Sequence, residues 1–411
     1  MSARAYAVGG PILTRPFKVL LALFGLGGVL ILFRFATGLG RITAMNDGYP
    51  WGLWIAFDVV TGTALACGGY SVALLVYVMN KGKYHPLVRP AVLTSALGYT
   101  LAGFGVALDI GRWWNIWRVP LFFWRWNLDS VLLEVALCIT SYMFVLWIEL
   151  SPAFLERAEQ QTGVPWLARF AARTRPIVEK ALLWIIALGI LLPTMHQSSL
   201  GALMLIAGPR LHPLWNTGWL PLLFLMSCIA MGYAAVVFES TLSRLAFGRA
   251  PDLKVRPTSD TVPSTSDRAM LASLSQAMVP LGTGYVLLRL IDLAGRGQLP
   301  ALFAFDFYSV MALLELALFM LAIGLLLRDS DRQKPGTLFK AAMLFMLAGS
   351  LYRFDTYLVA FQPGAHWSYF PSVTEILVTV GLIAGEILAY ILIVKLFPIL
   401  TLEKRDVAYH H

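Results

Sequence analysis

Long apolar runs alternate with short polar or aromatic breaks from one end of the chain to the other. Ten such runs stand out, at residues 17–37, 51–79, 87–110, 127–150, 177–200, 219–242, 270–294, 307–328, 338–361 and 373–397. A helix crosses the hydrocarbon of a bilayer with about 20 mostly apolar residues, so each run is long enough. The pattern predicts an all-α, polytopic membrane protein of about ten transmembrane helices. Pro16, Pro86, Pro176 and Pro371 sit at entries to runs, where a missing amide costs little. The stretch 17–33 has no small-residue cleavage site and reads as a retained span rather than a signal peptide. Only 249–268 is a long polar separator. It divides the chain into the first six spans (1–248), a polar linker (249–268) and the last four spans with a short tail (269–411).

Charge then orients the spans. Basic residues beside membrane helices concentrate on the cytoplasmic side. One set of ends carries Arg4, Arg15, Lys18, Lys81, Lys83, Arg89, Arg157, Arg169, Arg173, Arg175, Lys180, Arg244, Arg249, Lys254, Arg256, Arg268, Arg328, Arg332, Lys334, Lys340, Lys395, Lys404 and Arg405. The other carries only Arg41, Arg112, Arg118, Arg125, Arg210 and Arg296. Ten crossings with both termini cytoplasmic account for this asymmetry. The segment 152–175 mixes basic and apolar residues and suits the cytoplasmic interface. On the outer side, Trp113, Trp114, Trp117, Trp124 and Trp126 crowd one loop with arginines. An interfacial aromatic belt and a docking rim for a partner explain that loop equally well.

Composition narrows the classes. The chain is 58% apolar and 13% charged, about half the charge of a soluble domain. Its net charge of +9 lies between apolar runs rather than on a soluble basic face, so nucleic acid is excluded as a partner and membrane lipid is expected. Cys67, Cys138 and Cys228 are far apart inside apolar runs, which removes a disulfide framework and a cysteine-held iron–sulfur cluster in this chain.

A charge near the bilayer centre costs about 2.5–3.5 kcal/mol on insertion scales, so each one needs a partner, a cavity or a task. The inventory is Arg34, Asp58, Asp109, Glu134, His196, Glu239, Arg289, Asp292, Glu315, Arg353, Asp355 and Glu386. Arg289 and Asp292, three apart on one helix face, can neutralise each other, whereas Arg353 and Asp355 must find partners on other helices. Asp58, Asp109, Arg112, Glu134 and His196 all fall in the outer third, on spans two to five. An ion pair at a helix end explains Asp109 and Arg112 as well as a ligand site does. Tyr99 lies near mid-depth, with Arg89 and Glu239 at the inner edge. Anchoring accounts for Arg89, and a salt bridge for Glu239, at least as well as proton conduction does.

Of the six histidines only His196 falls within a span, so a membrane haem with two axial histidines is not expected. Pro193, three residues before it, frees a backbone carbonyl among hydroxyl-bearing neighbours. The small residues from Thr61 to Gly69 suit close helix packing, or else an opening for a flat ligand.

At these motifs the chain resembles the NrfD/PsrC family of polytopic subunits, in particular the HybB type associated with periplasm-facing nickel–iron hydrogenases. The likeness is carried by Gly48-Tyr49-Pro50-Trp51-Gly52, Phe57-Asp58, Ala66-Cys67-Gly68-Gly69 and Tyr84-His85-Pro86-Leu87-Val88-Arg89-Pro90. It continues in Asp109-Ile110-Gly111-Arg112, Leu192-Pro193-Thr194-Met195-His196-Gln197-Ser198-Ser199, Asp306-Phe307-Tyr308-Ser309-Val310 and Tyr369-Phe370-Pro371, spanning roughly 11–398. The resemblance implies side-by-side four-helix bundles in the bacterial cytoplasmic (inner) membrane. It also implies a haem-free subunit, not catalytic alone, that exchanges electrons with menaquinone or ubiquinone near the periplasmic surface. Its partners would be a periplasmic ferredoxin-like iron–sulfur subunit and the small and large nickel–iron hydrogenase subunits.

Quinone reduction takes up two protons with two electrons, so a pocket needs proton donors. Asp58, Asp109, Arg112, Glu134 and His196 are the candidate quinone contacts, with Glu134 and His196 as terminal donors. Tyr99 and Glu239 are candidate intermediates, and Arg89 a tuner. Three rivals stand beside this reading: a sister subunit serving sulfur-compound or multihaem cytochrome chemistry, a secondary transporter, and a pure scaffold.

Overall fold

The computed structural model describes residues 5–160, 163–247 and 265–401. Ten long helices follow in order: α1 (Arg15–Thr37), α2 (Trp54–Val78), α3 (Val88–Asp109), α4 (Val131–Glu159), α5 (Pro165–Ala207), α6 (Leu220–Phe247), α7 (Thr265–Gly295), α8 (Phe307–Leu326), α9 (Pro335–Phe354) and α10 (Val373–Leu396). Among the described residues, nine of them are long and apolar enough to cross a membrane. The exception is α9, whose apolar run is interrupted by Lys340 and Arg353 and which continues as a π-helical turn, Asp355–Val359. It is nonetheless seated between α6 and α8.

Packing arranges the helices as two rings. Helices α2–α5 form one four-helix bundle and α6–α9 a second, with α2 contacting α6 and α9 along their shared face. Helices α1 and α10 pair outside the first bundle, where α10 touches α2 and α3. Glycine makes that pair close: a Cβ on Gly27 would stand 2.8 Å from Gly381 Cα. The bundle boundary thus falls between α5 and α6. The polar stretch 249–268 lies between α6 and α7, inside the second bundle's sequence, and its residues 249–264 are outside the described residues.

The first and last described residues meet at one end of the bundles. Strand β1 (Ala5–Tyr6), ahead of α1, pairs antiparallel with β2 (Leu400–Thr401), after α10. Lys395 donates to Pro11 O, Arg89 reaches Pro398 O, and Lys83 donates to Ser273 Oγ there. The loops richest in lysine and arginine therefore gather at one end, and the tryptophan loop lies at the other. An even number of crossings follows if α9 crosses with the nine.

Two local features bear on the site. Helix α2 begins and ends as π-helix (Trp54–Thr61 and Leu74–Val78) around a turn at Ala66 and Cys67. Its small residues are filled in by neighbours: Gly68 by Val236 and Gly69 by Ser95 and Val92. Close packing, not a ligand opening, uses that run. Helix α5 is 43 residues long, about 64 Å at 1.5 Å per residue. It continues straight through Pro176 instead of breaking there, so 165–175 extends the α4–α5 hairpin, held by Arg175 to Glu159 at 2.9 Å and to Glu179 at 2.8 Å.

Candidate functional site

At the centre of the first bundle a line of neutral polar side chains joins α2, α3 and α5. Tyr99 OH and His196 Nε2 are 2.7 Å apart, and both residues are fully buried. His196 Nδ1 lies 2.9 Å from Leu192 O. A carbonyl only accepts, so Nδ1 carries the proton and Nε2 is the acceptor for Tyr99. Gln197 Nε2 donates to Thr63 Oγ1 at 3.1 Å and lies 3.0 Å from His196 Nε2. With the Tyr99 proton committed to His196, the Cys67 thiol at 3.3 Å is the donor to Tyr99. Tyr142 covers the pair edge-on, its ring 4.5 Å from that of Tyr99. Tyr70 meets Thr194 at 2.8 Å one turn away. The Tyr99 hydroxyl and the His196 imidazole can relay a proton, because each both donates and accepts; Gln197 only donates, its Oε1 being buried without a partner.

Asp58 stands apart from that line. It is 1% exposed, on the π-helical turn of α2, and accepts from Thr379 Oγ1 of α10 at 3.0 Å; its Oδ1 has no partner. Asp109 ends α3 half-buried, with Oδ1 unpartnered, next to an α3 terminus that Arg34 caps through Leu108 O (2.8 Å) and Ile110 O (2.7 Å). Arg112 is exposed in the tryptophan-rich loop, and Glu134 is half-buried in the first turn of α4. Of the sequence candidates, then, the structure joins only Tyr99 and His196 directly. Asp58, Asp109, Arg112 and Glu134 occupy the same end without touching one another.

At the basic end, Tyr390 donates to Glu239 Oε1 at 2.6 Å and Ser243 hydrogen-bonds Tyr390 at 3.0 Å. Glu239 lines a cleft of about 50 Å³ together with Pro86, Pro90, Ser243 and Leu400. Arg89, partly exposed, holds Glu156 at 3.4 Å, a pair of little energetic weight at that exposure. A second cleft of about 40 Å³ lies between Arg89 and Glu149. Glu149 escaped the sequence reading because it is the next-to-last residue of the apolar run 127–150, where it reads as a polar helix end.

Sequence spacing missed two pairings as well. Asp292 bonds Arg296 at 2.6 Å and Thr217 at 2.8 Å, not Arg289; four residues apart, the Arg296 fork reaches it with two nitrogens. Arg289 instead faces Glu315 at 3.7 Å and donates to Leu214 O at 2.6 Å. Arg353, fully buried, bonds Phe224 O on α6 and Val60 O on α2. Asp355, also fully buried, has no hydrogen-bond partner for either oxygen. Outside the spans, burial and the neighbouring Glu375 push the Tyr369 phenol up, so it stays protonated and donates to Glu375 Oε1 at 2.6 Å.

The histidines do not offer a two-histidine haem. Both ring nitrogens of His196 are engaged, His212 stacks on Tyr308 at 4.3 Å at the tryptophan end, and His85 lies at the basic end. Among the described residues no second histidine faces His196 within the bundle.

Comparison with known proteins adds an independent line. Residues 41–397 match the family model described as polysulphide reductase, NrfD. The chain is 38% identical over 410 residues to the Escherichia coli (strain K12) protein called "Probable Ni/Fe-hydrogenase 2 b-type cytochrome subunit", covering 99% of this chain and 97% of the relative. It is 32% identical over 381 residues to a Nitratidesulfovibrio vulgaris protein, covering 91% of this chain and 92% of that one. A further 32% identity over 232 residues links 55% of it to 52% of the "Menaquinone reductase, integral membrane subunit" of the same organism.

Proposed function

Because this chain belongs to the NrfD family and is a multi-pass integral membrane protein, we propose that it is the quinone-interacting membrane subunit of a respiratory nickel–iron hydrogenase complex. The carrying observation is the end-to-end match to the hydrogenase-2 membrane subunit. The match to a menaquinone reductase subunit supports menaquinone, or the related ubiquinone, as the diffusing carrier.

In this reading the basic end is cytoplasmic and both termini lie there, in the bacterial inner membrane. The tryptophan end faces the periplasm and docks a ferredoxin-like iron–sulfur subunit, beyond which sit the hydrogenase small and large subunits. Exposed Trp114, Trp117 and Trp124 supply amphipathic contact area for that docking. The name of the Escherichia coli relative includes a b-type cytochrome, but the histidines here do not fit haem, and no step is assigned to one. Electrons reach quinone from the partner's clusters.

The side chains of this chain hold quinone and deliver protons. Asp58, Asp109, Arg112, Glu134 and His196 are the proposed headgroup contacts. His196, polarised by Tyr99 and Gln197, and Glu134 are terminal donors. Glu239 receives protons from the basic-end cleft, and Arg89 tunes that entrance electrostatically. The test is hydrogen-dependent quinone reduction and charge movement in membrane vesicles carrying Glu134→Gln, Glu239→Gln or His196→Ala in assembled complexes. Loss of quinone-linked turnover is expected in each; unchanged rates and charge movement in all of them would remove the scheme. Copurification with sulfur-compound or multihaem cytochrome subunits instead of hydrogenase subunits would shift the complex while keeping the membrane chemistry.

A further inference from the structure

One stripe of the last helix is polar from end to end. Glu375, Thr379, Glu386 and Tyr390 are spaced four, seven and four residues apart. At about 100° per residue they fall within one narrow stripe of α10, rising ~22 Å from Tyr390 to Glu375. The opposite face packs on α1, where Gly381 meets Gly27 and Gly385 meets Phe24. The polar stripe therefore faces the interior of the protein, not lipid.

Glu375 accepts from the loop groups Ala44 N and Tyr369 OH, and the other three members each meet a group from another helix. Tyr390 donates to Glu239 of α6, beside the basic-end cleft. Thr379 donates to Asp58 of α2, leaving the other Asp58 oxygen buried and unpartnered. Glu386, between them, lies against α3, its Oε1 3.4 Å from where a Gly98 Cβ would stand. On α3 the residues alongside are Gly98, Ala102 and Gly105, and a Cβ on Gly105 would stand 3.3 Å from Asp58 Cβ. Positions 98 to 105 rise ~10 Å, the same as 379 to 386 on α10. Two carboxyl groups thus sit at the two ends of a wall without side-chain bulk. Ala66 of α2 packs against Gly98, and Asp58 and Val59 pack against Gly105, so the missing side chains bring α2, α3 and α10 close together.

We propose that the polar stripe of α10, with Glu386 as its indispensable link, carries protons from Glu239 at the basic end to Asp58 at the quinone end. It rests on the functional reading above and assigns the transmembrane leg of that function. Tyr390 and Glu239 take a proton from the cleft, Glu386 accepts it, and water drawn in along the stripe during turnover passes it by way of Thr379 to Asp58. Each reduction of quinone to quinol consumes two electrons from the iron–sulfur partner and two such protons. The Tyr99–His196 line then holds the headgroup side, whereas the long-range leg lies on the far side of α3.

The test uses the whole complex in inverted membrane vesicles. Hydrogen-dependent reduction of a soluble menaquinone analogue is divided by hydrogen-dependent reduction of benzyl viologen, which draws electrons from the partner subunits. Glu386→Gln is expected to lower this ratio at least tenfold and to abolish charge uptake. Glu386→Asp, which keeps a carboxyl, is expected to recover at least a third of the ratio, and Tyr390→Phe to lower it severalfold. Wild-type ratio and charge uptake in both Glu386→Gln and Tyr390→Phe would overturn the route while leaving the quinone function intact. An equal loss in Glu386→Gln and Glu386→Asp would overturn the carboxyl's role. No hydrogen-dependent quinone reduction by the wild-type complex would instead overturn the functional reading on which the route rests.

Discussion

The two four-helix bundles bury polar side chains of different kinds. In the first, the interior holds Tyr99, His196, Gln197, Thr63 and Cys67, groups drawn as neutral donors and acceptors in one connected line. In the second, the interior holds ions: Arg289 against Glu315, with Tyr285 donating to the same carboxylate at 2.5 Å and Trp215 at 3.3 Å, and the Arg289 guanidinium over the Tyr352 ring at 5.6 Å. Fixed opposite charges lock helices together, but a proton cannot move along them without breaking the pair. Neutral groups that switch donor and acceptor roles can pass one on. The contrast assigns the headgroup-side chemistry to the first bundle and mechanical support to the Arg289–Glu315 core of the second, while Glu239 on α6 serves the basic-end cleft.

The largest expected effect lies in the second bundle. Arg289→Met leaves Glu315 ionised and unpaired in the interior and is expected to cost about 3–5 kcal/mol. Thermal unfolding of the detergent-solubilised chain, followed by tryptophan fluorescence, measures it. The double variant with Glu315→Leu should regain most of the loss, and a single variant as stable as wild type would break the structural reading. In the first bundle, His196→Ala should reverse the balance of readouts. Quinone-linked turnover is expected to fall roughly 100-fold, the scale of a general acid, with a smaller change in unfolding temperature than Arg289→Met produces. Equal damage to stability in both variants would erase the distinction.

Between the bundles, Gly232→Ala places a Cβ 2.1 Å from Ser71 Oγ and 2.6 Å from Cys67 O. Backbone cannot yield there cheaply, so a loss of about 1–3 kcal/mol is expected, measured in the same unfolding assay. The smallest effect is at the surface end of α8. Asp306 caps that helix by accepting from Ser309 N at 2.7 Å, and this bond holds its carboxyl below the usual range. A depressed folded pKa means that the cap's contribution is full above the ordinary carboxyl pKa, about 3.9, and fades as pH falls through the lower folded value. Asp306→Asn keeps the acceptor, so unfolding temperatures compared between neutral and acidic pH should converge on the acid side. A constant difference across that range would discount the cap.

How much of this was readable in the chain depends on the range of the contact. The ten helices were legible because apolar length is local, and α9 fell short only where Lys340 and Arg353 interrupt it. His196 with its proline and hydroxyl neighbours was legible for the same reason. The partners were not: Asp58 meets a threonine 321 residues away, and Arg289 passes over the acid three positions on for one on another helix. No periodicity within a helix encodes which neighbour it will face. The α10 stripe is the exception, since its four–seven–four spacing was present in the sequence. It was hidden because each acid was weighed singly, by depth, instead of along its helix.

The pairing of α1 with α10 also constrains how the protein is made. Helix α1 finds its glycine-lined partner α10 only after the eight long helices between them have been translated. Until then its Gly27 groove is open to lipid or to the insertion machinery, and neither offers the backbone approach that Gly381 provides. A chain stopped short of α10 leaves the Gly27 face of α1 without the close backbone partner that Gly381 supplies.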